Sequence, residues 1–422
     1  MTYQPTLPAY WDPVVLERDI RRIFQYCLDC RMCITLCPAF PELFKRVDAK
    51  GEDATILDAA DIRAVVELCN DCKLCYPKCP YTPPHAWNLD FPRLMLRARA
   101  VEARRSGLSF QDRMLSRPEI IGRLSRPLAP VVNALNRHGG FRAVLEKLTG
   151  IHRETPLPAY HRETFAAWVA RRGTRPPVGE PAGRVALFYT CTVNYNAPEV
   201  GRTAVEVLEK NRVEIRVPPQ VCCGMPNLDC GDVETATAAA RQNIGTLQPL
   251  VQAGYDIVTP GPSCSFMLRQ EYPLLVDSPE ARQVAAHSFD LCEYLMRLHA
   301  QGRLDTNFPD RPGPIVYHLP CHLKAQNIGY KSRDLMQLTG AAVQVIERCC
   351  GHDGTWSMRT AHFDQSMKMG RRLFEAVREA GAPMAASDCV LAQLQIQQGT
   401  GILPIHPIQV IHRAYGLSGG TR

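Results

Sequence analysis

Two runs of four cysteines near the N-terminus constrain this chain more than any other feature. CLDCRMCITLCP (27–38) and CNDCKLCYPKCP (69–80) share one spacing, C-x2-C-x2-C-x3-C-P. The chain holds 18 cysteines, and its start, MTYQPTLPAYWDP, lacks the basic segment and apolar run of a secretory signal peptide. Clustered cysteines in a reducing compartment bind metal more often than they form disulfides. The two runs therefore predict metal ligation.

The spacing within each run indicates iron–sulfur clusters. Three cysteines at intervals of three residues can surround one face of a small cube, whereas the fourth stands one residue further on, precedes proline and points away. In two-cluster ferredoxins this fourth cysteine ligates the other cluster. Two zinc sites, the alternative, fit two full runs of four cysteines poorly. We predict two [4Fe-4S] clusters, one held by Cys27, Cys30, Cys33 and Cys79 and the other by Cys37, Cys69, Cys72 and Cys75.

Residues 93–175 form a basic stretch, with 17 Lys and Arg against 6 Asp and Glu. LMLRARAVEARR and FRAVLEKL have the pattern of amphipathic helices, and RPLAP is a break between them. A basic face of this kind suits anionic lipid or an acidic partner subunit, and a solvated helical linker is the equal alternative. No recognition motif accompanies the charge, so nucleic acid is not an expected partner.

The chain from residue 184 onward contains a duplication. In each half a strand precedes a cysteine, a helix and a strand lead to Cys-Cys-Gly, and a longer helix and a strand lead to a fourth cysteine. The corresponding intervals are 31 and 28 residues, then 41 and 39 residues. A duplication explains this match better than chance does. The two sets are Cys191, Cys222, Cys223 and Cys264 in the first half, and Cys321, Cys349, Cys350 and Cys389 in the second.

Alternating strands and helices favour a small parallel sheet in each half. Each cysteine then lies past the carboxyl end of a strand, where loops converge on one crevice. We therefore expect a four-thiolate pocket in each half, able to hold an iron–sulfur cluster or zinc. Cys230 and Cys292 have no counterpart in the duplication and are expected to be structural.

Four histidines stand near these motifs or after them. His318 and His322 flank Cys321, and His352 follows the second Cys-Cys-Gly. Each could bind metal, donate to a cluster sulfur or move a proton. His322 and His352 are the stronger candidates because both are expected to face the second crevice. His406, in LPIHPIQV, is expected to close a turn.

The predicted fold class is α+β and α/β multidomain, since 422 residues exceed what one core accommodates. We predict a helical ferredoxin domain at 1–92, a basic helical linker region at 93–182, and cysteine-rich domains at 183–310 and 311–422. GTRPPVGEPAG (173–183) marks the start of the first cysteine-rich domain. No run approaches the ~20 apolar residues of a spanning helix. We expect a cytoplasmic protein, with peripheral contact to the inner face of the membrane as a further expectation.

These motifs carry a family resemblance. The paired runs, PPQVCCGMP, GPSCSFMLRQEYP, YHLPCH and ERCCGHDGTW resemble the C subunits of anaerobic glycerol-3-phosphate dehydrogenase, glycolate oxidase iron–sulfur subunits and, more distantly, heterodisulfide reductase B subunits. The resemblance implies an electron-transfer subunit rather than a stand-alone enzyme. Such a subunit relays electrons from a flavoprotein dehydrogenase to quinone or another acceptor. The chain has no G-x-G-x-x-G motif or P-loop, so a partner is expected to supply the flavin.

The chain lacks one cysteine that some relatives have in each cysteine-rich domain. Relatives of the heterodisulfide reductase branch end each cysteine-rich domain in C-x-x-C, whereas this chain has Met267 and Ala392 at the last position. Five-thiolate noncubane clusters are therefore not expected. A thiol/disulfide catalyst and a zinc-stabilised interaction protein are two other hypotheses. A third is a reductant for a rubrerythrin-type diiron protein, because DCVLAQLQIQQGTG and HPIQVIHRAYG resemble a branch of this family whose members are paired with such proteins. For the relay, the second-domain site is expected to serve the acceptor.

Overall fold

Helices build the N-terminal domain of the computed structural model, which describes residues 3–417. Asp12 and Asp58 start two of them, because their carboxylates accept the backbone N–H groups of the first turn. Phe24, Phe40 and Phe91 pack together in the core beneath the cysteine loops. The elements are α1 (Pro8–Trp11), α2 (Pro13–Cys30), α3 (Ala39–Asp48), a 3-10 turn (Ala54–Ile56), α4 (Ala59–Leu68) and α5 (Cys75–Lys78).

Six further helices follow before the first strand. They are α6 (Phe91–Ser106), α7 (Phe110–Leu115), α8 (Pro118–Ser125), α9 (Ala129–Arg137), α10 (Gly139–Thr149) and α11 (Phe165–Arg172). Helix α6 connects two cores, since Leu94 lies in the N-terminal core and Ala100 lies in the core of the next domain. Gly231 allows this close packing, because a Cβ there would stand 2.6 Å from the carbonyl oxygen of Arg99.

The first cysteine-rich domain is a four-stranded parallel sheet in the order β2-β1-β3-β4, with helices around it. Its strands are β1 (Gly183–Leu187), β2 (Val213–Arg216), β3 (Asp256–Thr259) and β4 (Ser288–Asp290). Its helices are α12 (Cys191–Tyr195), α13 (Pro198–Lys210), α14 (Met225–Asp229), α15 (Val233–Gln252), α16 (Pro262–Phe266), a π-helical turn (Met267–Glu271), α17 (Tyr272–Val276), α18 (Pro279–Ala286) and α19 (Leu291–Ala300).

The second cysteine-rich domain repeats this plan with three parallel strands in the order β6-β5-β7. Its strands are β5 (Ile315–His318), β6 (Val343–Ile346) and β7 (Met384–Ser387), and its helices are α20 (Cys321–Ala325), α21 (Lys331–Gln337), α22 (Phe363–Glu379), α23 (Val390–Thr400) and α24 (Pro407–Ala414). In both domains the central strand is the first in sequence. The duplication seen in the cysteine spacing is therefore a duplication of topology.

The two cysteine-rich domains share one apolar core. Leu187 of the first sheet and Tyr317 of the second belong to the same buried cluster, and α24 packs against α13 across the junction. The fold class and all six predicted strands are confirmed, as are the helices predicted near 198–210, 232–253 and 364–380. Strand β4 was not predicted. Within residues 3–417, none of the helices combines the length and apolarity that crossing a bilayer requires.

Candidate metal centres

The sixteen cysteines predicted as ligands lie in four groups of four. Most of them lie at a helix end or in a loop, where the chain can bring sulfur atoms together. We name the groups site A (Cys27, Cys30, Cys33 and Cys79), site B (Cys37, Cys69, Cys72 and Cys75), site C (Cys191, Cys222, Cys223 and Cys264) and site D (Cys321, Cys349, Cys350 and Cys389).

Sites A and B each line a cavity of their own. The four cysteines of site A share the lining of their cavity with Tyr26 and Tyr81, and those of site B share theirs with Lys73 and Phe91. In both cavities the fourth cysteine comes from the other run, Cys79 in site A and Cys37 in site B. The geometry thus brings together the crossed sets that the spacing predicts.

Left-handed backbone turns curl the two cysteine loops inward. Arg31 follows Cys30 with a φ of 50°, and Asp71 and Lys73 flank Cys72 with φ values of 47° and 61°. For residues other than glycine, this left-handed backbone conformation costs roughly 1–3 kcal/mol each. Three such residues beside the sulfur atoms show that the fold imposes the loop shape needed to surround a ligand.

The thiols of sites A and B fit a metal cluster on chemical grounds. Burial, and then the neighbouring thiols, raise the pKa of Cys37 to about 12 and hold the pKa of Cys27 well above its ordinary value. Buried thiols that repel one another as anions can all ionise only when cationic metal lies between them. Four thiolates around a small cavity are the donor set of a [4Fe-4S] cluster, which site A and site B could each hold.

Buried basic side chains surround site B. Lys73 is 4% exposed and contacts the Asp71 carboxylate at 2.8 Å. Arg99 donates to the carbonyl oxygens of Cys69, Val66 and Asp229, the last two at 3.1 Å. Positive charge beside a thiolate-ligated cluster raises its reduction potential. Arg99 belongs to the basic stretch 93–175, and its three carbonyl partners hold it against the loop of site B.

Site C is a compact group of four buried or half-buried thiols. The sulfur atoms of Cys191 and Cys222 are 3.9 Å apart, and those of Cys223 and Cys264 are 3.3 Å apart. Met267, at the position of a fifth cysteine, is fully buried among apolar side chains. Site C therefore offers four sulfur ligands, enough for an iron–sulfur cluster or for zinc.

Site D has the same makeup in the second domain. The backbone N–H of Gly351 donates to the sulfur of Cys349 at 3.3 Å, a contact that lowers the thiol pKa against the stronger effect of burial. Gly351 has a φ of +78°, and a Cβ there would stand 2.0 Å from the carbonyl oxygen of Ser366. Glycine is therefore required for this loop. Ala392, at the fifth position, is buried.

The four sites form a continuous series in space. Burial raises the pKa of Cys75 in site B, and nearby thiols raise it further, Cys33 of site A among them. Burial, followed by Cys72 of site B, raises the pKa of Cys321 in site D.

Sites D and C are also neighbours. A hydrogen bond with Cys223 lowers the pKa of Cys264 in site C, but burial and nearby thiols, Cys389 of site D among them, raise it overall. Hydrogen bonds place site D between sites B and C: His322, which follows Cys321 of site D, contacts Ser263 beside Cys264 of site C and the carbonyl oxygen of Asp71 beside Cys72 of site B. The thiol groups therefore run in the order A, B, D, C.

The histidines have structural partners. His322 contacts the Ser263 hydroxyl through Nδ1 at 2.8 Å and the carbonyl oxygen of Asp71 through Nε2 at 3.2 Å, so it joins all three cysteine-bearing domains. His318 contacts Ser387 at 3.0 Å. Both nitrogens of His322 are occupied, so the expectation that it could ligate metal is wrong.

His352 and His406 differ in how their ring nitrogens are used. His352 contacts Ser357 through Nδ1 at 3.0 Å, while its Nε2 is buried and has no hydrogen-bond partner within residues 3–417. That nitrogen is free to interact with a ligand of site D. His406 accepts the N–H of Ile408 and caps α24, which confirms the turn predicted for it.

The two cysteines without counterparts stand apart from the four sites. Cys292 is fully buried in the shared core beside Asp290 and Asp388. Its sulfur atom and one carboxylate oxygen of each aspartate all lie within 4.8 Å of one another. Asp388 accepts hydrogen bonds from Tyr317 and Ser332. Cys230 donates to the carbonyl oxygen of Asn227.

Comparison with known proteins agrees with this arrangement. Residues 20–105 match the Fer4-like domain of citrate utilization protein B, and residues 185–269 and 315–397 each match the cysteine-rich domain family. The C subunit of the anaerobic glycerol-3-phosphate dehydrogenase of Escherichia coli is 29% identical over 405 residues, which cover 93% of this chain and 98% of that protein.

Lactate utilization protein A is similar over a shorter part. The Bacillus cytotoxicus protein is 31% identical over 219 residues, covering 49% of this chain and 87% of its own length. The protein of an Exiguobacterium species is 30% identical over 256 residues, or 56% of this chain and 98% of its own length.

The fold and the thiol sets define an iron–sulfur protein in which a ferredoxin-like domain precedes two cysteine-rich domains. The chain belongs to the family that contains lactate utilization protein A and the C subunit of anaerobic glycerol-3-phosphate dehydrogenase.

Proposed function

We propose that the chain is the electron-transfer subunit of a dehydrogenase complex, in which a flavoprotein partner oxidises the substrate and this chain carries the electrons to an acceptor. The observation that carries the proposal is the series of sites A, B, D and C, in which A and B share their two cysteine runs and His322 links D to B and to C. Iron–sulfur clusters in such a series supply one-electron steps, and the protein supplies the ligands and the surrounding charge. The two kinds of relative described above support a dehydrogenase partner of the glycerol-3-phosphate or lactate type, and the resemblance in the sequence motifs adds the glycolate type as an alternative.

Electrons enter this series at site A in our proposal. Met32 precedes Cys33 and Ile34 follows it, and these two large apolar side chains are 63% and 45% exposed beside site A. Site D, by contrast, is covered by the N-terminal domain, since Trp356 donates to the carbonyl oxygen of Glu67 at 2.7 Å. Site A is therefore the end of the series that a flavoprotein can approach.

A second part of the proposal concerns the membrane. Helices α7 to α10 expose apolar side chains among arginines, including Leu124 at 69% and Leu128 at 60%. Leu124 lies one turn from Ile120 on the same face of α8. An amphipathic surface with basic residues around apolar ones binds anionic bilayers from the side. We propose that a surface formed by exposed apolar side chains holds the chain at the membrane; these are Phe110, Ile120, Leu124, Leu128, Val131 and Leu148.

Metal analysis of the anaerobically purified protein tests the relay. Four clusters correspond to about sixteen irons per chain, and clusters in sites A and B alone correspond to about eight. Iron and sulfide would be counted, and EPR spectra recorded on the reduced protein. Zinc in sites C and D would end the relay at site B and overturn the proposed route.

Two reciprocal variants test the ligand sets. Cys37→Ser should remove the cluster of site B and leave site A, although Cys37 belongs to the first run. Cys79→Ser should remove the cluster of site A and leave site B. If each variant lost the cluster of its own run instead, the crossed ligation would be incorrect.

Vesicle flotation tests the membrane surface. Leu124→Ser with Leu128→Ser should weaken binding to phosphatidylglycerol vesicles by about tenfold or more, because each leucine loses roughly 1.5–3 kcal/mol of apolar burial. Val178→Ser is the matched control, since Val178 is 90% exposed but lies outside this surface. Equal binding of both variants would argue against a membrane role for α8 to α10.

A further inference from the structure

A large cleft lies between the linker helices and the first cysteine-rich domain. Its volume is about 920 Å³, within the range of small-molecule sites. One wall comes from α8 and the turn that follows it, a second from residues 162–167, and the third from residues 189–195 around the start of α12. Three separate segments of the chain thus converge on one opening.

The side chains in this cleft are mainly hydrogen-bond donors. Arg123, Arg126 and Arg162 line it, and within residues 3–417 none of the three forms an ion pair. Arg126 uses only its Nε, which donates to the carbonyl oxygen of Arg162 at 2.9 Å. Tyr189 and Tyr195 add two phenol groups. Three unpaired guanidinium groups at one opening favour a ligand with an anionic group.

The back of the cleft belongs to site C. Glu119 lines the cleft, and its carboxylate accepts the backbone N–H of Cys222 at 3.0 Å. Tyr195 stands in the short helix that begins at Cys191, and its ring packs against α8, where a Cβ on Gly122 would be 2.5 Å away. A molecule in the cleft would therefore be separated from the sulfur atoms of site C by only these side chains.

The faces of α8 have different roles. Glu119 and Arg123, four residues apart, face the cleft, and Gly122 faces the ring of Tyr195. Ile120 and Leu124, also four residues apart, are exposed on another side. The cleft is therefore distinct from the apolar surface proposed to meet the membrane.

We propose that this cleft binds a planar, anionic quinone-type electron acceptor, which takes its electrons from site C. The inference rests on the relay proposed above and reverses the expectation that site D serves the acceptor. The arginines would hold the anionic group, and the tyrosine hydroxyls would donate to the carbonyl oxygens of the ring. Site D lies between sites B and C and beneath the N-terminal domain, whereas site C adjoins the open cleft through Glu119.

Reduction of the proposed acceptor takes two electrons and two protons. The flavoprotein partner would supply two electrons, and a cluster held by Cys191, Cys222, Cys223 and Cys264 would pass them to the acceptor one at a time. The two carbonyl oxygens of the acceptor take up these electrons with two protons from solvent, and the hydroquinone leaves with its anionic group unchanged. Arg123 and Arg126 are exposed, so the mouth of the cleft is open to water for proton uptake.

Equilibrium binding to the oxidised, cluster-containing protein tests the inference without electron transfer. The probes are anthraquinone-2-sulfonate and the uncharged 2-(hydroxymethyl)anthraquinone, which share one ring system. Arg123→Gln with Arg162→Gln should weaken binding of the sulfonate by about tenfold or more, because each lost contact to a charged group removes a strong hydrogen bond. Binding of the uncharged probe should change less than about twofold, since it lacks the anionic group.

Arg117→Gln with Arg137→Gln is the control, because it removes the same charge from arginines outside the cleft. Equal weakening by both double variants would overturn the inference and leave only a general charge effect. If the cleft variant instead weakened binding to phosphatidylglycerol vesicles and left sulfonate binding unchanged, the arginines would serve lipid headgroups and the inference would also fail. Reoxidation of the reduced protein by anthraquinone-2-sulfonate tests the electron relay separately. If the sulfonate bound but did not reoxidise the protein, the relay would be contradicted and the cleft would still be a binding site.

Discussion

The Cys-Cys-Gly motifs provide a sharp test, because the same substitution meets different surroundings in the two domains. Gly224 and Gly351 follow the paired cysteines of sites C and D, with φ values of +90° and +78°. A Cβ on Gly224 would lie 3.1 Å from the Cα of Ala236, whereas one on Gly351 would lie 2.0 Å from the carbonyl oxygen of Ser366. Alanine at either position is strained, but only at Gly351 must backbone move by an ångström or more.

The expected magnitudes follow from these distances. The left-handed conformation costs roughly 1–2 kcal/mol for alanine at either site. At Gly351 the overpacking adds roughly 1–3 kcal/mol. Displacing the loop also weakens the hydrogen bond from the Ser366 hydroxyl to the Gly351 carbonyl, now 2.8 Å, worth about 1 kcal/mol. We therefore expect about 3–6 kcal/mol of local destabilisation for Gly351→Ala and about 1–2 kcal/mol for Gly224→Ala.

Iron content and EPR of both variants would measure the consequence. Gly351→Ala should lose the metal of site D and keep sites A and B, which lie in another domain. Gly224→Ala should keep the metal of site C, because a shift of a few tenths of an ångström relieves its contact with Ala236. Equal losses in the two variants, or a full set of clusters in Gly351→Ala, would show that the packing around the motif does not control its ligands.

Three further outcomes follow from buried groups. Arg97→Met should lower the free energy of unfolding by roughly 3–5 kcal/mol in denaturant titrations, because it leaves Asp19, now 2.9 Å from Arg97, buried without its counter-charge. Trp356→Phe removes the donor to the Glu67 carbonyl and should slow electron transfer from site B to site D in reductant-mixing experiments, while the iron content stays unchanged. Burial lowers the pKa of His318 from 6.5 to about 4, so an unfolded chain takes up this proton first as the pH falls. The free energy of unfolding should therefore decrease by up to about 3 kcal/mol between pH 6.5 and pH 4. In unfolding measurements at several pH values, His318→Asn should show a smaller decrease.

Part of the architecture could be predicted because it depends on local spacing. The intervals within each cysteine run decide which sulfur atoms share a loop and which one points away, so the grouping of Cys37 with the second run and Cys79 with the first followed from the pattern. Alternation of apolar strands and amphipathic helices was long enough in the duplicated halves to predict six strands. Strand β4 has only three residues, Ser288–Asp290, too few to show a period.

Other features depend on contacts between distant parts of the chain. Arg93 and Arg97 belong to a basic stretch that resembles a solvated face, yet they meet Glu271 and Asp19, which lie 178 and 78 positions away. Nothing in the local pattern distinguishes a buried arginine from an exposed one, because its burial depends on where its partner is placed by the fold. The opposite case is Leu124 on α8 and Leu128 in the turn before α9, two apolar side chains that the rest of residues 3–417 leaves largely exposed.

The sequence by itself determined which residues can bind metal, since ligand chemistry and loop spacing are properties of short segments. Only the tertiary structure decided the order A, B, D, C and left the arginine cleft beside site C while covering site D. That order depends on how three domains pack, through contacts such as His322 with Asp71 and Ser263. Packing of this kind is set by the total complementarity of large surfaces, which no short stretch of sequence contains.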